Sequence, residues 1–348
     1  MAVCLLGLGS NVGDRPAALQ AAVTRLAEGP GIRVLAVSRP IETAAVGGPA
    51  GQPAFLNAAA LIETGLLPAA LLRLAQQIEL SLGRTPGVRW GPRPLDVDLL
   101  LYDEERHATP ELRLPHPRMA WRRFVLAPAA EIAPAMVHPQ IGWTVRQLLD
   151  HLDRGPPYVA ITGPIAAGKS LLAERVAGQT GARLLAEPLA LDALAAFYEN
   201  PASQAWQTEL EFVETRRRLL AADADYWCDH TQWTVSDFWF DQSAAFAGVW
   251  LPEAQRAAYD RRFAAARAAV ASPRLLVVAD APPEELARRV RARGRHCEQA
   301  LVAAQLGRIR AAIRAQAGQP GLGPVLWLEP SSAEAAAEEV VAAIEAMK

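Results

Sequence analysis

Residues 163–170 read GPIAAGKS. They stand between an apolar run, YVAIT at 158–162, and a helical pattern that begins at Lys169. Strand, glycine loop, then helix is the setting in which this spacing of glycine, lysine and hydroxyl holds phosphate. Backbone N–H groups of Gly163, Ala166, Ala167 and Gly168 would cradle the oxygens, Lys169 would bridge the outer phosphates, and Ser170 would take Mg²⁺. Composition sharpens this reading: of 35 basic residues only Lys169 and Lys348 are lysine. A lysine at 169 therefore stands where arginine is the chain's default. Working outward, the loop decides the fold of its half. Apolar stretches at 158–162, 183–186, 234–238, 274–279 and 325–328 alternate with helical patterns at 169–178, from 283 onward and at 333–347. That order predicts a parallel, doubly wound α/β sheet.

The remaining residues predict a second domain. The chain has 348 residues, 51% hydrophobic and 21% charged, enough to bury two cores. The stretch DHLDRGPP at 150–157 is short, polar and proline-bearing, so the expected domains are 1–153 and 157–348. Net charge is −2, which leaves no basic surplus for a nucleic-acid partner. Cys4, Cys228 and Cys297 are too few and too scattered for a disulfide framework or a zinc site. They read as reduced thiols of a cytoplasmic protein. The first 13 residues lack a basic leader and read as a strand, and no apolar run has membrane-spanning length, so no membrane partner is expected.

In the first half, strands at 3–8, 34–39, 55–63 and 95–102 alternate with helices at 15–26 and 68–82, which suits an α+β ferredoxin-like sandwich. Residues 89–100 read RWGPRPLDVDLL. Asp96 and Asp98 are two apart on an apolar strand, so both carboxylates share one face. Magnesium takes one or two carboxylates together with phosphate oxygens. Arg84, Arg89 and Arg93 crowd the preceding loop, and guanidinium forks match phosphate. Metal carboxylates beside arginines describe a phosphoryl-transfer site.

With these strings in place, residues 1–150 resemble the 6-hydroxymethyl-7,8-dihydropterin pyrophosphokinase family, the folate-pathway diphosphokinases. The resemblance rests on RWGPRPLDVD together with LGLGSNVGDR at 6–15, PAFLNAA at 53–59, IELSLGR at 78–84, LPHPRM at 114–119 and RRFVLAPAAEIAP at 122–134. It implies that Asp96 and Asp98 hold Mg²⁺ on ATP, and that Arg84, Arg93 and Arg122 clamp phosphates. His116 and Glu79 would lie at the nucleotide, and Trp90 on a loop that closes over it. Phe55 and Phe124 would sandwich the pterin, Asn57 would bond its amide edge, and Thr43 with Val46 would add backbone contacts. The loop from Arg84 to Arg89 is a residue shorter than the family's and carries Pro86-Gly87.

Three features narrow the second half. Glu187 ends a strand facing the phosphate loop and could take a hydroxyl proton. Gln207, in WQTE at 206–209, offers an amide that can pair with a base edge. ELARRVRARGRHCE at 285–298 packs arginines at helical spacing, as a lid on a transferred phosphoryl group would. With SDFWFDQS at 236–243, residues 157–348 resemble the deoxynucleoside kinase family: an α/β P-loop kinase with a parallel sheet and an arginine-rich lid. By that resemblance Glu187 is the base for the 5′-hydroxyl, Gln207 binds the nucleobase, and Arg216 or Arg217 lies near the substrate. Asp237 sits at the active-site end of its strand. Arg289, Arg293 and Arg295 surround ATP with Glu298 bracing them. A basic residue is expected where Gln242 stands. The resemblance implies pterin, deoxynucleoside and ATP as small-molecule partners, purines favoured, and a homodimer through the C-terminal domain. A nucleoside monophosphate kinase, or a nucleotide-binding module without turnover, stays open as the alternative for this half.

Overall fold

The structure, a computed structural model, describes residues 1–85, 87–329 and 332–348, and all counts refer to those. The chain divides into two compact units, Met1–Arg154 with Ala342–Lys348, and Gly155–Val341.

The first unit is built on an antiparallel sheet. Its central strand β1 (Ala2–Ser10) pairs with β4 (Phe55–Thr64) on one side and β5 (Asp96–Tyr102) on the other. β2 (Ile32–Val37) and the short β3 (Ile41–Thr43) follow one another along the far side of β4. The order β2-β4-β1-β5 is the expected ferredoxin-like arrangement. Strand periodicity gives β1 two different faces. Cys4, Leu6 and Leu8 point into a core with Leu19, Ala22 and Leu26 of α1 (Arg15–Ala27) and Leu71, Ala75 and Ile78 of α2 (Pro68–Ser81). Gly7 and Gly9 lie on the other face, opposite Asp98 and Asp96 of β5. α1 starts where it does because Asp14 accepts the Ala17 N–H at 3.0 Å and a proline occupies its first turn. A two-residue pair, β6 (His107–Ala108) with β7 (Arg113–Leu114), precedes α3 (Arg123–Ile132), which packs on β4, and α4 (Val145–Arg154).

The second unit carries a five-stranded, wholly parallel sheet: β8 (Tyr158–Thr162), β9 (Arg183–Leu185), β10 (Thr234–Ser236), β11 (Leu275–Val278) and β12 (Val325–Trp327), in the order β12-β11-β8-β10-β9. Every residue of β8 and β11 is buried, as strands covered on both faces require. From β8 the chain runs outward to β9 and later returns to the other side at β11. The loop after β8 therefore sits at the switch point where such sheets bind ligands. α5 (Lys169–Thr180) begins there. α6 (Leu191–Glu199), α7 (Pro201–Leu219), α8 (Gln242–Trp250), α9 (Glu253–Arg267), α10 (Pro283–Arg293), α11 (Ala303–Ala317) and the part of α12 (Ala333–Ala346) before Ala342 complete the unit's helices. Gly163 has φ +152°, and a Cβ there would lie 2.1 Å from the Ala279 carbonyl oxygen; the loop can leave β8 only through a glycine. Expected strand and helix ends differ from the observed ones by one or two residues, the usual fraying of boundaries.

His138 is 4% exposed in the turn before α4. Its Nδ1 accepts the Ile141 N–H at 3.3 Å, and its backbone N–H donates to the Trp143 carbonyl at 2.8 Å. Burial, with the charge of Arg106, pushes its pKa down to about 4. The folded state thus prefers the neutral ring. This contribution is complete above the unfolded value near 6.5 and is lost as pH falls towards 4, worth at most about 3 kcal/mol. Urea unfolding followed by exchange of the β1 amides should show the first unit weaker at pH 4.5 than at pH 7. His138→Gln should lose less over the same interval.

Candidate active sites

The face of the first sheet that carries Gly7 and Gly9 gathers the first site. Gly9 lies opposite Asn57 on one side and Asp96 on the other, and directly opposed residues share a face. A Cβ on Gly9 would stand 3.2 Å from Asn57 Oδ1 and 3.9 Å from Asp96 Cβ, with the Phe55 ring at 3.7 Å. The missing side chain leaves floor space among a flat ring, an amide and a carboxylate. Asn57 Nδ2 donates to Thr43 Oγ1 at 2.8 Å, which leaves its carbonyl oxygen facing Gly9. Phe124 stands in the first turn of α3, half-buried, with the Arg122 guanidinium 5.6 Å from its ring centre. Val46 is half-buried in the loop between β3 and β4.

Arginines hold the acids of this site. Asp96 Oδ1 accepts from Arg84 Nη1 at 2.6 Å and Oδ2 from Arg93 Nη1 at 2.9 Å. Arg84 Nη1 also donates to Glu79, whose Oε1 accepts the Val97 N–H at 2.7 Å. Arg93 is anchored through its backbone: Asn11 Oδ1 accepts its N–H at 2.8 Å, and Asn11 donates back to its carbonyl at 3.1 Å. Burial, reinforced by the charge of Asp98, raises the Asp96 pKa despite both arginines. Burial likewise raises Glu79 and lowers Arg122. His116 Nε2 stands 3.9 Å from Asp98 Oδ2, and its Nδ1 accepts the Arg118 N–H at 3.2 Å. Burial, with Arg122 and Arg118 nearby, pushes its pKa down to about 3. The ring is therefore neutral, with the proton on Nε2, a hydrogen-bond donor rather than a base.

Trp90 has φ +58°. Its ring lies against Gly47, and its carbonyl accepts from Gln52 Nε2 at 2.9 Å. The Arg89 guanidinium sits 4.3 Å from the ring centre and that of Arg118 5.8 Å away. Pro86, in the shortened loop, lies outside the described residues. A concavity of about 480 Å³, lined by Asn11, Val12, Gly13, Arg15, Glu42, Pro53 and Ala54, borders this site through Asn11. Magnesium fits the donor set: two carboxylates on one face, all-oxygen, with arginines nearby for the anion that would share the ion. Among the described residues no group of three or more His, Cys, Asp or Glu is assembled. A magnesium site here would thus draw on two carboxylates and on the ligand's own oxygens.

The second site forms at the end of β8. Gly168, in the left-handed region, caps α5. Lys169 Nζ donates to the carbonyls of Gly163 and Pro164, each at 3.1 Å. Burial, opposed by Glu187 and Asp237, pushes its pKa down to about 8. Asp237, just past β10, organises the centre: Oδ2 accepts from Ser170 Oγ at 2.5 Å and Oδ1 from the Glu187 N–H at 2.7 Å. Glu187 Oε1 accepts from Arg216 Nε at 2.6 Å, in a pair 13% and 4% exposed. Arg216 Nη1 donates to Ser243 Oγ at 2.6 Å. Lysine, hydroxyl, two carboxylates and a buried arginine thus converge beside the phosphate loop. The hydroxyl of Ser170 is oriented towards Asp237, and an oxygen donor set of this kind suits magnesium.

Other expected residues lie elsewhere. Gln207 is exposed, and its Nε2 donates to Glu211 at 2.7 Å. Glu209 is buried on the same helix. Two residues turn a helix by about 200°, so Gln207 points away from the face of α7 that carries Glu209 and Arg216. Arg217 is half-buried and bound to Glu214 while Arg216 is buried, so Arg216 is the arginine of the pair that enters the site. Arg289 is exposed and held by Glu285 at 2.8 Å. Arg293 and Arg295 both pair with the buried Glu298, and the charge of Arg293 reaches Lys169. Gln242 is 2% exposed. Its Oε1 accepts from Thr162 Oγ1 at 2.9 Å and from the Trp239 N–H at 3.2 Å. A cation there would lose both bonds, which accounts for glutamine. Sequence reasoning passed over Asn11, Glu209 and Asp280, the last gripped by Arg310 and Arg314. For Glu209 a signal existed: it lies seven residues, two helical turns, before Arg216.

Residues 5–134 match the family model described as 7,8-dihydro-6-hydroxymethylpterin-pyrophosphokinase, and residues 159–315 match one described as an AAA domain. Over 148 residues the chain is 48% identical to the 2-amino-4-hydroxy-6-hydroxymethyldihydropteridine pyrophosphokinase of Methylorubrum extorquens, covering 42% of this chain and 92% of that protein. It is 50% identical over 130 residues to the protein of the same name from Bacillus subtilis, covering 37% of this chain and 77% of that one. Among solved structures, deoxyadenosine kinase from M. mycoides superposes with a TM-score of 0.45 at 12% identity, covering 53% of this chain and 95% of that one.

Removing Arg216 leaves Glu187 as an unpaired, nearly buried charge. Arg216→Ala should destabilise the second unit by about 3–5 kcal/mol. Exchange of the β8 amides should report this loss while the β1 amides stay unchanged.

Proposed function

The chain belongs, through its first domain, to the 7,8-dihydro-6-hydroxymethylpterin-pyrophosphokinase family, and from that premise we propose how its two sites divide the chemistry. The first domain is the pyrophosphokinase of folate synthesis, using Mg-ATP and a pterin alcohol. The observation that carries the residue roles is the convergence of Asp96, Asn57 and Phe55 around Gly9. Phe55 and Phe124 offer faces for a flat bicyclic ring, and the free carbonyl of Asn57 accepts from its amide edge. Arg84, Arg93 and Arg122 neutralise the triphosphate. The first two pair with Asp96, so nucleotide binding exchanges one anion for another. His116 donates its Nε2–H. Magnesium held by Asp96 and Asp98 would screen the phosphate charge and acidify the pterin hydroxyl. The chain's own work is positioning, which supplies much of the rate in such transfers.

The second domain is a P-loop kinase-like domain. We read its acceptor as the 5′-hydroxyl of a deoxynucleoside, purines favoured. The support is the Glu187 carboxylate beside the phosphate loop, aligned by Arg216 and by Asp237, which also orients Ser170. Glu187 takes the hydroxyl proton, and Lys169 and Ser170 hold the donor phosphates. In this reading Arg293 and Arg295 follow the phosphoryl group.

The test is one assay panel: the pterin substrate and four deoxynucleosides, each with Mg-ATP. Asp96→Ala should abolish pyrophosphoryl transfer and leave deoxynucleoside phosphorylation intact. Glu187→Gln should do the converse, lowering the second activity at least about a hundredfold. Loss of both activities in either variant would contradict independent sites. A wild-type chain that phosphorylates no deoxynucleoside would overturn the reading of the second domain.

A further inference from the structure

Glu209 is a carboxylic acid with nothing to hold. It lies on α7 at 3% exposure, and its Oε2 has no hydrogen-bond partner among the described residues. A buried polar atom left so is costly, and native structures satisfy most of them. The exceptions call for an absent ligand or a functional reason.

Its surroundings identify the site it belongs to. Two helical turns separate it from Arg216, so both stand on one face of α7. Arg216 already spends Nε on Glu187 and Nη1 on Ser243. Charged and titratable groups face Glu209 from two of the helices packed on α7. α9 brings Arg256 and Tyr259, and α6 brings Tyr198. α8 contributes no titratable side chain. Beyond the helices, the charge of Glu187 reaches Glu209. Glu209 therefore lies within electrostatic reach of Glu187, the proposed base, and its helix packs into a core rich in aromatic rings: Phe197, Tyr198, Phe212 and Trp250.

Solvation fixes its charge. Two nearby carboxylates do not both ionise in a dry site when one has taken the cation. Glu187 has Arg216, and Arg256 is ion-paired with Asp260 at 3.9 Å, so Glu209 keeps its proton. Burial raises its pKa to about 8, against the pull of Arg216 and Arg256. A neutral carboxyl is at once an O–H donor and a carbonyl acceptor. It complements the edge of a heterocycle that sets a ring acceptor beside an N–H donor, and a carboxylate does not.

We propose that Glu209 reads the base of the acceptor nucleoside as the neutral acid, giving its O–H to a ring nitrogen and accepting the neighbouring amino N–H. This rests on the reading of the second domain as a deoxynucleoside kinase. It makes acceptor affinity depend on a proton. Binding is full below the pKa and weakens as pH rises through it.

The experiment is the KM for deoxyadenosine and deoxycytidine, measured with the full chain and saturating Mg-ATP from pH 7 to 9. Neither base loses a proton in that interval. Wild type should show KM rising about tenfold by pH 9. Glu209→Gln keeps donor and acceptor but cannot ionise, and its KM should stay level. Glu209→Leu, similar in volume and suited to a buried position, should fold with an unchanged melting temperature and show a high KM at every pH. Lys169 also titrates near 8 and acts on the nucleotide in all three proteins, so the acceptor KM is the readout. A Glu209→Gln profile as steep as wild type, a Glu209→Leu KM within twofold of wild type, or a wild-type KM that falls with pH would each overturn the proposal and leave the kinase reading standing. If the wild-type chain phosphorylates no deoxynucleoside, the kinase reading fails and takes the proposal with it.

Discussion

Buried acids without a cation are intolerable, and each site in this chain is organised by that constraint. Asp96 would sit among apolar strands with Asp98 beside it, so Arg84 and Arg93 close on its two oxygens. Glu187 is nearly buried, so Arg216 closes on it. In the proposed function the arginines are thereby held where a polyphosphate would arrive. A charged ligand meets cations already positioned, and the site need only exchange partners. Glu209 marks the same rule from the other side: with no ion-pair partner among the described residues, it is left protonated.

Backbone geometry makes these pairings possible. The floor of the first site depends on Gly9, because a side chain there would fill the space between Asn57 and Asp96. The entrance to the second depends on Gly163, whose missing Cβ lets the loop pass the carbonyl of Ala279. The folds supply the rest: an antiparallel sheet with one face left free of α1 and α2, and a parallel sheet with a switch point after β8.

Much of this was legible in the residues. Asp96 and Asp98 announce a shared face because strand periodicity is two, and the glycine loop was recognisable because it needs a strand before it and a helix after it. Three short strands of the first unit were not. β3, β6 and β7 are too short to show a period, and they exist through their partner strands. Short motifs misled where helix phase decides. WQTE contains one polar side chain that faces solvent, Gln207, and one that faces the core, Glu209, and residue type alone favours the glutamine. Gln242 looked anomalous only because its bonds to Thr162 and Trp239 join residues distant or reversed in sequence. Among the arginines of α10, the exposed pairing of Arg289 with Glu285 is an ordinary i, i+4 contact, which spacing could have suggested.

The central claim is that one chain carries two separate polyphosphate sites, each built on arginine-held acids. Calorimetric titration with a non-hydrolysable ATP analogue and Mg²⁺ tests it most directly. The account requires two equivalents bound per chain, with Lys169→Ala removing one and leaving the other. A single equivalent in the wild-type protein, or loss of all binding in the variant, would contradict it.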